Sequence, residues 1–267
     1  MKKGYPPPLD EEGAIKIIST FLKDEVKKTG RKKLVVGISG GVDSALSAAL
    51  AVKTFGSKSL IAVKMPYKSS NPQSEKDADL LIKEFSLQSL RFDITRIVDS
   101  YFGEESKEDE KLRLRRGNFL ARVRMAILFD ISQKENGLVL GTSNKTETLL
   151  GYSTLYGDSA SSLNPIGDLY KCYVYQLAKY LKIPERILKK KPSADLWKGQ
   201  TDEGELGILY KEADAVLYLV VDKSLSNEEV SKTLNLPLDR VEKIVNRMKA
   251  TEFKRRLPLF PKLSQRD

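Results

Sequence analysis

The sequence predicts an α/β fold: a doubly wound, mainly parallel sheet with flanking helices, continued by a helical C-terminal part. Two observations carry that expectation. Up to Gly141, short apolar runs alternate with segments of helical periodicity, as strands and helices do around a buried sheet. After Gly151 the short runs stop and the pattern is mostly helical. The chain has 267 residues, 40% of them hydrophobic, enough for one large core. No fixed-period repeat or low-complexity tract divides it, so one domain over residues 1–267 is the simplest organisation. Its α/β core covers about 14–180 and its helical C-terminal part about 206–257.

Each element follows from the residues in order. Pro6, Pro7 and Pro8 forbid a helix and supply no donors to a sheet, so residues 1–12 are expected to form an irregular arm. Ala14, Ile17, Ile18, Phe21, Leu22 and Val26 then recur at helical spacing, up to a basic break at residues 27–33. Residues 34–38 are a short apolar run of the kind buried in a parallel sheet. The run ends in Ser39-Gly40-Gly41, and an Ala- and Leu-rich helix is expected over 42–55. Strands at 60–65 and 89–92 and helices at 75–85 and 93–102 continue the alternation. The charged stretch 104–116 reads as a mobile surface segment, 117–133 as an amphipathic helix and 137–141 as a fourth buried strand. Further helices are expected at 171–181, 207–221, 226–234 and 238–253, with an irregular piece at 192–205. In such a sheet ligands sit beyond the carboxyl ends of the strands, here near Ile38 and Gly141.

Composition removes several kinds of chemistry. There is no histidine, and Cys172 is the only cysteine, so His-based triads, zinc sites and iron–sulfur clusters are excluded within one chain. The Cys172 thiol is expected to have a packing role only. Any metal must be held by oxygen ligands, which points to Mg²⁺ or a similar hard cation. No run of about 18 apolar residues exists, so no membrane span is expected. The N-terminal lysines are not followed by the apolar region of a secretory signal, and the cytoplasm is the expected location. A formal charge of +10 suits an anionic partner such as a nucleotide or nucleic acid, or is simply a solvated lysine-rich surface.

The sharpest motif is Ser39-Gly40-Gly41-Val42-Asp43-Ser44 at a strand-to-helix junction. Two glycines let successive N–H groups point into one hollow, and the following helix turns its positive end there, as phosphate binding requires. The lysine of a GxxxxGK[ST] loop is absent, and so is a GxGxxG turn. Asp43 inside such a hollow would repel phosphate unless a cation stood between them, so its natural role is a Mg²⁺ ligand. The bland alternative is a capped helix and tight turn with nothing bound.

This loop resembles the pyrophosphate-binding loop of the N-type ATP pyrophosphatases, which split ATP to AMP and pyrophosphate while activating a substrate oxygen as its adenylate. Four further segments resemble the NAD synthetases within that group. They are Arg116-Gly117-Asn118-Phe119-Leu120-Ala121-Arg122-Val123-Arg124-Met125; Gly141-Thr142-Ser143-Asn144-Lys145-Thr146-Glu147 with Gly151-Tyr152-Ser153-Thr154 and Gly157-Asp158; Pro165-Ile166-Gly167-Asp168-Leu169-Tyr170-Lys171; and Pro192-Ser193-Ala194-Asp195-Leu196 with Gly199-Gln200-Thr201-Asp202-Glu203. The resemblance covers most of the chain.

The resemblance implies an adenine nucleotide alpha hydrolase-like fold and an ammonia-dependent conversion of nicotinic acid adenine dinucleotide (deamido-NAD) to NAD, through an adenylated nicotinate. It implies ATP contacts at Gly37, Ile38, Ser39, Gly40, Gly41, Val42, Asp43, Ser44, Met65, Thr142, Lys171 and Ser193, and a Mg²⁺ ion held by Asp43 and Glu147. Dinucleotide contacts fall on Asn118, Arg122 and Lys254. Asp43 and Lys171 serve catalysis, and Asp158 holds or deprotonates ammonium. A mobile loop at 192–205 covers the site, and a homodimer carries the dinucleotide at its interface, with no nucleic-acid or membrane partner. Arg122 and Arg124, two apart on a helix, face different ways, so one of them is expected in a structural salt bridge. The chain departs from many members at Leu155, Ser162 and Phe253, where polar side chains meet the dinucleotide. By residue type alone, Glu147 reads rather as an exposed helix residue, Thr142 as part of a helix N-cap region and Phe119 equally as core. A tRNA-modifying adenylating enzyme is the alternative that the charge would suit, but its thiolating versions need more cysteines than one.

Overall fold

The structure is a computed structural model and describes residues 4–103, 109–193, 195, 199–256, 258, 260 and 261. Helix α1 (Glu11–Thr29) starts two residues inside the expected irregular arm, because the Asp10 carboxylate accepts from the Gly13 amide and Glu11 and Glu12 favour the positive end. Strand β1 (Lys33–Gly37) is followed by α2 (Val42–Phe55), β2 (Leu60–Lys64), α3 (Pro72–Glu84), β3 (Gln88–Arg91) and α4 (Thr95–Phe102). Then come α5 (Glu110–Lys134), β4 (Gly137–Val139), α6 (Lys145–Leu150), α7 (Lys171–Tyr180) and α8 (Glu185–Leu188). The C-terminal part holds α9 (Asp202–Leu206), α10 (Tyr210–Leu217) with a π-helical turn at Tyr218–Asp222, α11 (Asn227–Leu234), α12 (Leu238–Ala250) and a 3₁₀ turn at Glu252–Arg255.

The strands pair in parallel in the order β3-β2-β1-β4, with Val35 opposite both Ile61 and Val139. Side chains alternate across the sheet. Leu34 and Val36 enter a core with α1, α2 and α7, while Val35, Ile61 and Val63 enter a second core against α4 and α5. A third core joins Leu150 and Tyr170 to the C-terminal helices. Strand order reverses direction at β1, so the loops after β1 and β4 leave neighbouring strand ends and open one crevice.

Three sequence expectations change. Helix α5 begins at Glu110, not at residue 117, because the Asp109 carboxylate caps it through the Leu112 amide, 2.7 Å away, and Leu112 is buried. The mobility expected of residues 104–108 falls outside the described residues, and 110–116 are helical. The helix expected from 207 starts at Tyr210, since Gly207 is a left-handed cap (φ 59°) that ends α9. Thus part of the expected irregular piece is helix α9, while residues 194 and 196–198 of the expected mobile loop lie outside the described residues.

Candidate active site

The Ser39-to-Ser44 loop turns between β1 and α2. Gly40 has φ 74°, and a Cβ there would stand 2.3 Å from the Ser74 carbonyl oxygen, so chain direction and close packing both require glycine. The Ser44 hydroxyl accepts from the Ser39 amide at 3.3 Å and donates to the Gly41 carbonyl at 3.1 Å, which closes the turn. No side chain caps α2, whose N-cap is Gly41, and its first-turn amides face the crevice where an anion would sit. Behind the turn, Lys190 donates to the Gly40 carbonyl at 3.3 Å and the Ser74 hydroxyl at 2.9 Å.

Asp43, in the first turn of α2, meets residues from α6 and α7. The Lys171 ammonium donates to Asp43 Oδ2 at 2.7 Å and to Glu147 Oε1 at 2.9 Å, and the Asn144 amide donates to Asp43 Oδ1 at 2.8 Å. Lys171 is 2% exposed. Burial pushes its pKa down, but Asp43 and Glu147 outweigh that, and the ammonium is held well above its ordinary range. Burial pushes the Glu147 carboxyl up, to about 7, against the pull of Lys171. Glu147 is therefore a paired side chain of the crevice, not an exposed helix residue. Asn144 fixes it locally, because the two form a capping box at the start of α6. Thr142 lies two residues before that cap.

Two oxygen-bearing side chains thus share one cation, and Lys171 Nζ occupies the place between them. A hard divalent cation fits this donor set. Among the described residues no group of three or more acidic, Cys or His side chains could hold a metal, so the remaining ligands would have to come from elsewhere, such as phosphate oxygens. Tyr210 closes the floor: its hydroxyl donates to Asp202 Oδ2 at 3.0 Å, and its ring lies 5.0 Å from Lys171 Nζ. Met65, just beyond β2, is buried beside Gly37, and Ile38 donates its amide to the Val63 carbonyl at 3.0 Å. Thr142 is half-buried. Ser193 is exposed, and its hydroxyl accepts from the Asp195 amide at 3.1 Å, while the Asp195 carboxylate accepts from the Asn71 amide.

The residues expected at the dinucleotide come together around a different segment, 151–158. Asn118 Oδ1 accepts from the Thr154 hydroxyl at 2.8 Å, Arg122 donates to the Leu155 carbonyl, and Lys254 donates to the Gly151 and Ser153 carbonyls at 2.8 Å. Asp158 accepts from the Thr154 amide at 2.8 Å; crowding by protein raises its carboxyl pKa even though solvent reaches the side chain. Gly157 lets α5 approach, since a Cβ there would meet Ala121 at 2.9 Å. Arg124 corrects the salt-bridge expectation: it donates to the Met65 carbonyl at 3.2 Å, and neither it nor Arg122 joins an ion pair among the described residues. Phe119 stacks on Tyr101 with centroids 4.5 Å apart, in the middle of α5. Cys172 is exposed at the surface, yet burial and the neighbouring Asp214 carboxylate push its thiol pKa up.

Sequence reasoning assigned no role to Asn144, Tyr210, Asp202 or Lys190. The Asn-x-x-Glu spacing at 144–147 was a visible capping signal. The others reach the site only through tertiary approach.

Known proteins resemble this chain along most of its length. The NAD synthase family model matches residues 14–258. A protein of Fusobacterium nucleatum named NH(3)-dependent NAD(+) synthetase is 51% identical over 245 residues, covering 92% of this chain and 93% of that one. One of the same name from Trichlorobacter lovleyi is 49% identical over 246 residues, covering 92% and 89%. Among solved structures, an NH3-dependent NAD synthetase from Campylobacter jejuni, in complex with the nitrate ion, superposes with TM-score 0.79 at 32% identity, covering 96% of this chain and all of that one. An NMN synthetase from Francisella tularensis gives TM-score 0.80 at 32% identity, covering 95% and 99%.

Proposed function

This chain belongs to the NAD synthase family, and we propose that it is a ligase that amidates deamido-NAD to NAD with ATP and ammonia. The single observation that carries the reading is the meeting of Asp43, Glu147 and Lys171 at the mouth of a phosphate-shaped loop. ATP phosphates lie against the amides of residues 39–44 and the start of α2, with Met65 and Thr142 toward the adenosine and Ser193 closing on the phosphates. Asp43 and Glu147 would hold Mg²⁺, which would supply charge neutralisation for the phosphates. Lys171, freed from the carboxylates, shifts to the phosphates as a mobile point cation. Asn118, Arg122 and Lys254 receive the dinucleotide along segment 151–158, and Asp158 holds ammonium or takes its proton.

In this scheme the nicotinate carboxylate oxygen attacks the α-phosphorus of ATP, the α–β phosphoanhydride bond breaks, and pyrophosphate leaves. Ammonia then attacks the acyl carbon, AMP departs, and the nitrogen sheds its extra proton to leave the amide. No protein nucleophile is needed, so positioning and charge stabilisation supply the rate. The chain works as one catalytic unit, in the cytoplasm, as a homodimer with the dinucleotide at its interface; no helix is long and apolar enough to cross a membrane among the described residues.

Exchange of labelled pyrophosphate into ATP tests the order of steps. Exchange should require deamido-NAD and not ammonium. Lys171→Ala should depress exchange and synthesis together, whereas Asp158→Ala should depress amide formation while exchange survives. Exchange without any dinucleotide would overturn the reaction. Because the Francisella relative is named an NMN synthetase, nicotinate mononucleotide is run in parallel, and mass analysis should favour NAD as product.

A further inference from the structure

Asp214 lies on α10, outside every sequence motif, and its side chain is 1% exposed. It has no ionic partner among the described residues. Its carboxylate reaches the start of two helices at once. Oδ1 accepts from the Thr146 hydroxyl at 2.5 Å, and Oδ2 accepts from the Cys172 amide at 2.7 Å. The Thr146 hydroxyl in turn accepts from the Lys171 amide at 2.9 Å. The Tyr170 side chain, at the N-cap of α7, makes no capping bond, so the first turn of this ten-residue helix takes its cap from α10.

The two residues paired at the catalytic crevice sit immediately beside these contacts. Glu147 follows Thr146, and Lys171 precedes Cys172. We propose that Asp214 is a positioning residue for the adenylation step, a carboxylate that caps α7 from a distance and ties it through Thr146 to α6, so that Lys171 and Glu147 keep their mutual register when ATP replaces their ion pair. The proposal rests on the reading of Lys171 as a phosphate contact. A carboxylate suits the task for two reasons. It accepts from two donors at once, and its negative charge favours a helix N-terminus. A carboxamide has one acceptor oxygen for two donors and presents an NH₂ group to the other. A misplacement near 1 Å at a reacting group costs on the order of 10²-fold in rate.

The test combines kinetics with amide exchange. Asp214→Asn should keep its fold and its KM for deamido-NAD within about twofold, while kcat falls about 10- to 100-fold. The Lys171 and Cys172 amides should exchange with deuterium at least about tenfold faster, an effect read without turnover. Thr146→Val should act in the same direction, and Thr146→Ser, which keeps the hydroxyl, should restore both readouts. Should Asp214→Asn fail to fold, the Thr146 pair carries the test alone. Val230→Ala, in the same C-terminal core, is the stability control and should lower Tm with kcat unchanged. Unchanged kcat and protection in Asp214→Asn, or a kcat loss that Val230→Ala reproduces at equal Tm, would overturn the proposal. Full activity of Lys171→Ala would instead overturn the reading beneath it.

Discussion

At the residue scale the decisive contact is one ammonium between two carboxylates. The Lys171 ammonium is shared between Asp43 and Glu147, in the crevice that the proposed function gives to phosphates and a cation. Asp43→Asn and Glu147→Gln should each lower kcat by about 10²-fold or more with the fold retained. Circular dichroism and turnover measured on the same samples check this, and near-normal turnover in either variant would remove that carboxylate from the proposed metal site. Asp214 makes a second prediction. Burial raises its carboxyl above the ordinary 3.8, against the bonds from Thr146 and the Cys172 amide. Between the unfolded value and the raised folded one, the unfolded chain loses its proton first, and stability from this group falls as pH rises. Tm curves of wild type and Asp214→Asn from about pH 4 to about pH 7 should therefore shift by a few degrees in favour of the variant as pH rises. A pH-independent difference would contradict it.

At the element scale the site depends on helix starts. The first-turn amides of α2 have no side-chain cap, a capping box begins α6, and α7 borrows its cap from α10. Each start leaves donors that something must satisfy, which makes it a natural place for an anion or a carboxylate. Gly40 tests the first of these. Gly40→Ala meets both a left-handed backbone and the Ser74 carbonyl, so it should distort the turn and reduce ATP-dependent exchange at least about tenfold. Gly56→Ala, with φ 81° and ψ 159° but open space around its Cβ, should cost about 1–3 kcal/mol of stability and leave exchange unchanged. Equal effects of the two on exchange would show that backbone strain alone, not the turn's packing, sets binding.

At the scale of the whole molecule, the α4–α5 side carries exposed apolar groups. Ile97, Tyr101, Leu114 and Phe129 are all at least 37% exposed. This face, continuous with Asn118 and Arg122, suits the twofold interface proposed for the dinucleotide. Light scattering should give about 60 kDa, twice the chain mass of 30.0 kDa. Tyr101→Glu should shift it toward the monomer and raise the KM for deamido-NAD. A monomer at working concentration would overturn the interface.

The sequence by itself determined the parallel sheet and the glycine turn that carries Asp43, because apolar periodicity and a glycine turn are local and survive without knowledge of the fold, whereas Glu147 and Lys171 were singled out only through the family resemblance. Helix starts at residues 110 and 210 were less legible, since caps and buried contacts, not periodicity, set them. Only the tertiary structure decided that Asp43 and Lys171, 128 residues apart, share a proton-rich contact, and that Asp214 and Tyr210 support it. A sequence records donors and acceptors but not their distances, and which buried polar groups satisfy one another is settled when strand order brings the ends of β1 and β4 side by side.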